Sequence, residues 1–81
     1  VLSGTSDAIG LHSITITPDM VGRRIAVFVA IEAKDLRRLT SAQRAFLAVV
    51  HDAGGIAGVA HSVDEAQQII ARGPWAPPFG L

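Results

Sequence analysis

Arg24 to Lys34, RIAVFVAIEAK, is the segment that most limits what this chain can fold into. Seven apolar residues follow one another from Ile25 to Ile31. That is far too few to span a bilayer, but their branched and aromatic character suits a buried strand. A strand apolar on both faces is expected to be central and covered on each side. Side chains alternate along it, so Ala26, Phe28, Ala30 and Glu32 share one face, while Val27, Val29 and Ile31 share the other. Glu32 and Lys34 therefore leave the strand end on the same side. A carboxylate and an ammonium placed there must reach water, pair, or bind something.

The elements around this strand follow from local signals. Ala8 to Thr17, AIGLHSITIT, alternates toward its end and reads as a preceding half-buried strand. Thr17-Pro18-Asp19 begins a turn or single helical turn that Gly22 ends. Asp35 to Leu39 is a polar loop. Thr40 then offers an N-cap, with Gln43 three residues later completing a capping-box pattern. Ala42, Ala45, Phe46, Val49, Val50 and Ala53 form a stripe at helical spacing, and Gly54-Gly55 stops the helix. Ile56 to Ala60 reads as a short strand. Ser62 with Glu65 repeats the capping signal before a last helix whose inner face would be Val63, Ala66, Ile69 and Ile70. Three prolines keep the tail from Gly73 onward irregular. The order strand, strand, helix, strand, helix describes a small α/β domain, a mixed sheet with flanking helices, over residues 1–72, followed by a Pro/aromatic tail over 73–81.

With 81 residues there is room for one domain with a marginal core. Yet 49% of the residues are hydrophobic, only 17% are charged, and mean hydropathy is positive. So small and apolar a domain is expected to cover part of its surface with a second copy or a partner. Seven basic residues balance seven acidic ones, so no basic excess argues for nucleic acid. Divalent cations held by two of the acids would nonetheless make the local field more positive. The absence of cysteine excludes a disulfide framework and a zinc–thiolate site. No signal peptide or membrane span is visible, and an intracellular, cytoplasmic location is the expectation.

The informative constellation is Asp7 with Glu32 and Lys34. If the first two strands pair antiparallel, the head of one lies beside the end of the other, and Asp7 meets Glu32. Two converging carboxylates suit a hard divalent cation such as Mg²⁺. Lys34 beside them can orient an attacking water and offset charge that builds on a phosphoryl centre. On spacing alone, a solvated strand end with a weak ion pair is the better account of Glu32 and Lys34.

Gly4-Thr5-Ser6-Asp7 followed by Ile31-Glu32-Ala33-Lys34 resembles the PD-(D/E)XK nuclease signature. Leu39-Thr40-Ser41-Ala42-Gln43-Arg44-Ala45-Phe46-Leu47 is similar to the LTxxQxxFL segment of virus-type replication-repair nuclease (VRR-NUC) domains. Ala53 to Ala60 and Ser62 to Ala66 are similar to the segments that follow it. The resemblance spans Gly4 to Ile70. It implies a restriction-endonuclease-like core that hydrolyses DNA phosphodiesters with Mg²⁺ or Mn²⁺. Asp7, Glu32 and the carbonyl of Ala33 would be metal ligands, and Lys34 and Gln43 would position water. It further implies a homodimer acting on branched DNA such as four-way junctions.

Two features depart from the family pattern. Its upstream acidic helix would precede Val1, so the chain is expected to be an N-terminally truncated piece, and Ser6 stands where the motif has Pro. Arg37 and Arg38 are candidate contacts to DNA phosphates, or else a solvated loop. His12, His51 and His61 show no repeated metal-ligand spacing, with His51 expected on the exposed face of its helix and His61 in a turn. Trp75 and Phe79 are expected to pack against the domain or a neighbouring subunit rather than stack on bases. The alternative function is a DNA-binding or oligomerisation module that keeps the fold without cleaving.

Overall fold

The computed structural model describes residues 8–33 and 38–75. Two parallel strands, β1 (Val29–Ala33) and β2 (Ile56–Ala60), form the sheet, joined by helix α1 (Ser41–Asp52). Helix α2 (Val63–Arg72) follows β2, and a single 3-10 turn covers Pro18–Met20. Parallel pairing requires a crossover, and α1 supplies it.

The register aligns Val29 with Ile56, Ala30 with Ala57, Glu32 with Val59 and Ala33 with Ala60. Each helix takes one face of the sheet. Leu47 and Val50 of α1 meet Ala57 and Val59 of β2, with Phe28, Ala30 and Leu39 packed against them. On the other face Ile69 of α2 meets Ile56 and Ala60, with Ile31 and Ala66 alongside. The alternation expected from the sequence is therefore observed: Phe28 and Ala30 face one way, Ile31 the other. The result is a three-layer helix–sheet–helix sandwich. Val50 and Val59 are wholly buried at its centre, each contributing roughly 1.5–3 kcal/mol of hydrophobic stabilisation.

The strand that the alternating pattern suggests over Ala8–Thr17 does not form; these residues are irregular, with no ladder partner among the described residues. The second expected strand, Arg24–Lys34, is shorter, beginning at Val29. Without the first strand, Arg24–Phe28 lacks an antiparallel partner, and β-propensity alone does not make a strand without one. The fully covered strand is β2, buried at all five positions, whereas β1 is half-buried.

The helix ends are the expected ones. Thr40 accepts from the Gln43 backbone N–H while the Gln43 side chain accepts from the Thr40 N–H, a complete capping box. At the other end Gly54 takes φ +99°, and the N–H groups of Gly54 and Gly55 return to His51 and Val50 carbonyls. This is a Schellman closure with glycine in its left-handed position. Ser62 caps α2 by accepting from the Glu65 N–H. The reciprocal bond differs from expectation, because the Glu65 carboxylate takes the N–H of His61 rather than that of Ser62.

The helix faces need correction. In α1 the buried positions are Leu47 and Val50, while Ala42, Ala45, Phe46 and Val49 are exposed. His51, expected outside, is half-buried one turn beyond Leu47. In α2 only Ile69 is buried and Ala66 half-buried, whereas Val63 and Ile70 are exposed. Alanines and branched residues surround more than half of α1, so its apolar pattern admits several phases and packing against the sheet selects one.

Candidate functional site

The crossover brings the N-terminus of α1 back to the carboxyl end of β1. Glu32 lies on the β1 face that α1 covers, beside Val59, and its side chain is half-buried there. Gln43 lies in the first turn of α1, one helical turn before Leu47, and so points inward. The two meet: Gln43 Nε2 donates to Glu32 Oε1 at 3.4 Å, at the long end of the hydrogen-bond range. Gln43 Oε1 simultaneously accepts from the Thr40 N–H at 3.0 Å. Because that backbone N–H can only donate, the amide oxygen must face Thr40, and the NH₂ group is left for Glu32. The capping role and the site role expected of Gln43 are thus served by opposite ends of one amide.

Other members of the expected site are distributed unevenly. Ala33 ends β1 and is exposed, next to Ala60. Arg38 is exposed just ahead of Leu39 and the α1 cap. Asp7, Lys34 and Arg37 lie outside the described residues. The antiparallel strand pair invoked to bring Asp7 to Glu32 is absent among the described residues. Among them, too, no group of three His, Cys, Asp or Glu side chains is placed to hold a metal ion. What these residues offer a cation is the Glu32 carboxylate and the Ala33 backbone carbonyl, hard oxygen donors of the type Mg²⁺ and Mn²⁺ accept. That chemistry fits such an ion as part of a ligand set, with the second carboxylate to come from elsewhere in the chain.

A pair at the same end of the sheet was not singled out from the sequence. His61 follows β2 directly, and its Nδ1 lies 3.0 Å from Glu65 Oε1, the same oxygen that accepts the His61 N–H at 2.8 Å. These hydrogen bonds, backbone first and ring second, hold the Glu65 carboxyl below its ordinary pKa. The legible signal was the spacing of four residues across a helix start. On this opposite face of the sheet, Ile31, Ala33, Ala60, His61, Val63 and Ala66 line a cleft of about 460 Å³.

No protein-family model, no curated protein and no solved structure matches this chain. Among the described residues no helix is long and apolar enough to cross a membrane.

Proposed function

We propose that this chain is the catalytic core of a metal-dependent DNA nuclease, acting as a homodimer on branched DNA. The observation that carries the reading is the Glu32–Gln43 contact. These residues are eleven apart in sequence and have no local reason to meet, yet they are the acidic and amide members of the PD-(D/E)XK and LTxxQ motifs. Glu32 with Asp7 and the Ala33 carbonyl would hold Mg²⁺ or Mn²⁺. Such an ion supplies positive charge to a scissile phosphate and acidifies water. Gln43 fixes the Glu32 carboxylate in orientation, and its amide is tied in turn by Thr40. Lys34, two residues beyond Glu32 in the sequence, would orient the attacking water and offset phosphoryl charge. Arg37 and Arg38 would meet the DNA backbone ahead of the α1 cap.

A second reading, an assembly module that keeps the fold without cleaving, is favoured by one observation. Leu11, Ile14, Ile16, Ile25, Val27 and Trp75 are exposed around one apolar groove.

The test is cleavage of a labelled four-way junction by the complete protein with Mg²⁺ or Mn²⁺. Glu32→Ala and Lys34→Ala should each lower the rate by roughly 10²–10³-fold, the usual loss for a charge-stabilising group, with circular dichroism unchanged. Full cleavage by a folded Glu32→Ala protein would remove the residue from the mechanism. A wild-type protein that binds junctions without cutting them would favour the assembly reading.

A further inference from the structure

We propose that a second copy of this chain docks on the apolar groove lined by Leu11–Ile16 and Ile25–Phe28, with Trp75 of each copy seated in the groove of the other. This takes the two-copy assembly of the preceding reading and gives it a face. It rests on apolar surface rather than on cleavage. Residues of Leu11–Ile16 and Ile25–Phe28 line this groove together with Val50, Ala53, Gly54 and Gly55 of the α1–β2 link. The groove holds about 160 Å³. An apolar cavity of ~150 Å³ accommodates one benzene ring, so this one is sized for a single aromatic side chain.

Trp75 stands at its rim with 78% of its surface exposed. Leu11, Ile14, Ile16, Ile25 and Val27 line the same groove with 37–55% exposure. Together the six leave on the order of 600 Å² uncovered, the upper end of what the largest apolar patch on a monomer exposes, and patches of that size are often functional. That approaches the roughly 800 Å² each partner contributes to a standard stable interface.

Three features select a second copy as the occupant. The patch carries a protruding indole and an indole-sized groove side by side, so it is complementary to itself, as a two-fold interface requires. The chain has no net charge, so copies do not repel. Lastly, among the described residues His12 is the only ionisable group lining the groove, and none of them is a lysine or arginine that would attract phosphate.

The experiment uses the chain's single tryptophan. Sedimentation of the whole protein across a dilution series should show a dimer dissociating to a monomer, with Trp75 emission moving to the red as it does so. Trp75→Ala and Ile25→Glu should each weaken association by roughly 30-fold or more, as loss of a central anchor does. Val63→Lys, an exposed apolar position away from this groove, should leave it unchanged. Circular dichroism identifies any variant that fails to fold; Ile16→Glu, at a second exposed rim position, then replaces it. A wild-type monomer at every concentration would overturn both the dimer and the face. A buried, blue-shifted Trp75 in that monomer would mean the groove is covered within one chain. A dimer indifferent to Trp75→Ala and Ile25→Glu would keep the assembly and overturn this face. Junction cleavage, measured separately, reports on the nuclease reading alone.

Discussion

Gly55→Ala should be among the most damaging single-methyl additions to this domain, although Gly55 has no unusual φ. A Cβ at this position would lie 2.8 Å from the Phe28 carbonyl oxygen and 2.8 Å from Val50 Cγ1, with the Val50 carbonyl oxygen at 3.0 Å. Ordinary contact begins near 3.4 Å, so the overlap must be relieved by movement. None of the three neighbours moves cheaply. Phe28 O accepts the Ile56 N–H at 2.8 Å at the start of the strand pair, Val50 is wholly buried, and its carbonyl closes α1 through the Gly55 N–H.

Overpacking against such fixed neighbours costs about 1–3 kcal/mol. A domain of 81 residues has roughly 4–12 kcal/mol in all. Urea unfolding followed by far-ultraviolet circular dichroism measures the loss directly. With a slope of about 1 kcal/mol per molar for so small a domain, the midpoint should fall by roughly 1–3 M. Gly54→Ala is the internal comparison. Its Cβ meets open space, but φ of +99° strains any L-residue, so the loss should be about 1–2 kcal/mol and be partly relieved by Asn. The strain is at the Val29–Ile56 end of the sheet, away from Glu32, so residual folded Gly55→Ala protein should keep its site geometry. A Gly55→Ala protein within about 0.5 kcal/mol of wild type would refute the close-approach argument, because that is the range of inert surface changes.

Thr40→Ala should cost about 1 kcal/mol of stability through the lost cap but leave the Gln43–Glu32 contact and cleavage in place. Gln43→Ala should cost a similar amount and impair cleavage as well; equal activity in the two variants would reduce Gln43 to a cap. Acid should weaken the α2 start. The folded-state pKa of Glu65 is depressed, so its contribution is present above the ordinary carboxylate pKa and is lost as pH falls through the lowered value. Glu65→Ala should therefore flatten the acid limb of a stability–pH curve, while the Ser62 cap, made to a backbone N–H, survives; an unchanged acid limb would count against the His61–Glu65 pair.

Local chemistry made much of this protein legible from its sequence. Thr40 with Gln43 and the Gly54-Gly55 pair mark the two ends of α1, Ser62 marks the start of α2, and β2 runs over Ile56–Ala60 as expected. Caps and breakers act on groups within a few residues, so their effect is written in short stretches of chain. The alternation of Phe28, Ala30 and Glu32 against Ile31 is likewise local, because a strand's side chains have a fixed period of two. Tertiary structure decided the rest. Ala8–Thr17 has the composition of a strand but no ladder partner among the described residues, and a strand exists only where another offers its backbone. Phe46 and Val49 are as apolar as Leu47 and Val50, yet the sheet covers only the latter two. Glu32 and Gln43 could be named from sequence, but their contact depends on α1 crossing back over the end of β1. The apolar groove beside Trp75 is built from Leu11–Ile16, Ile25–Phe28 and the α1–β2 link, segments distant in sequence, a packing outcome that no window of sequence contains.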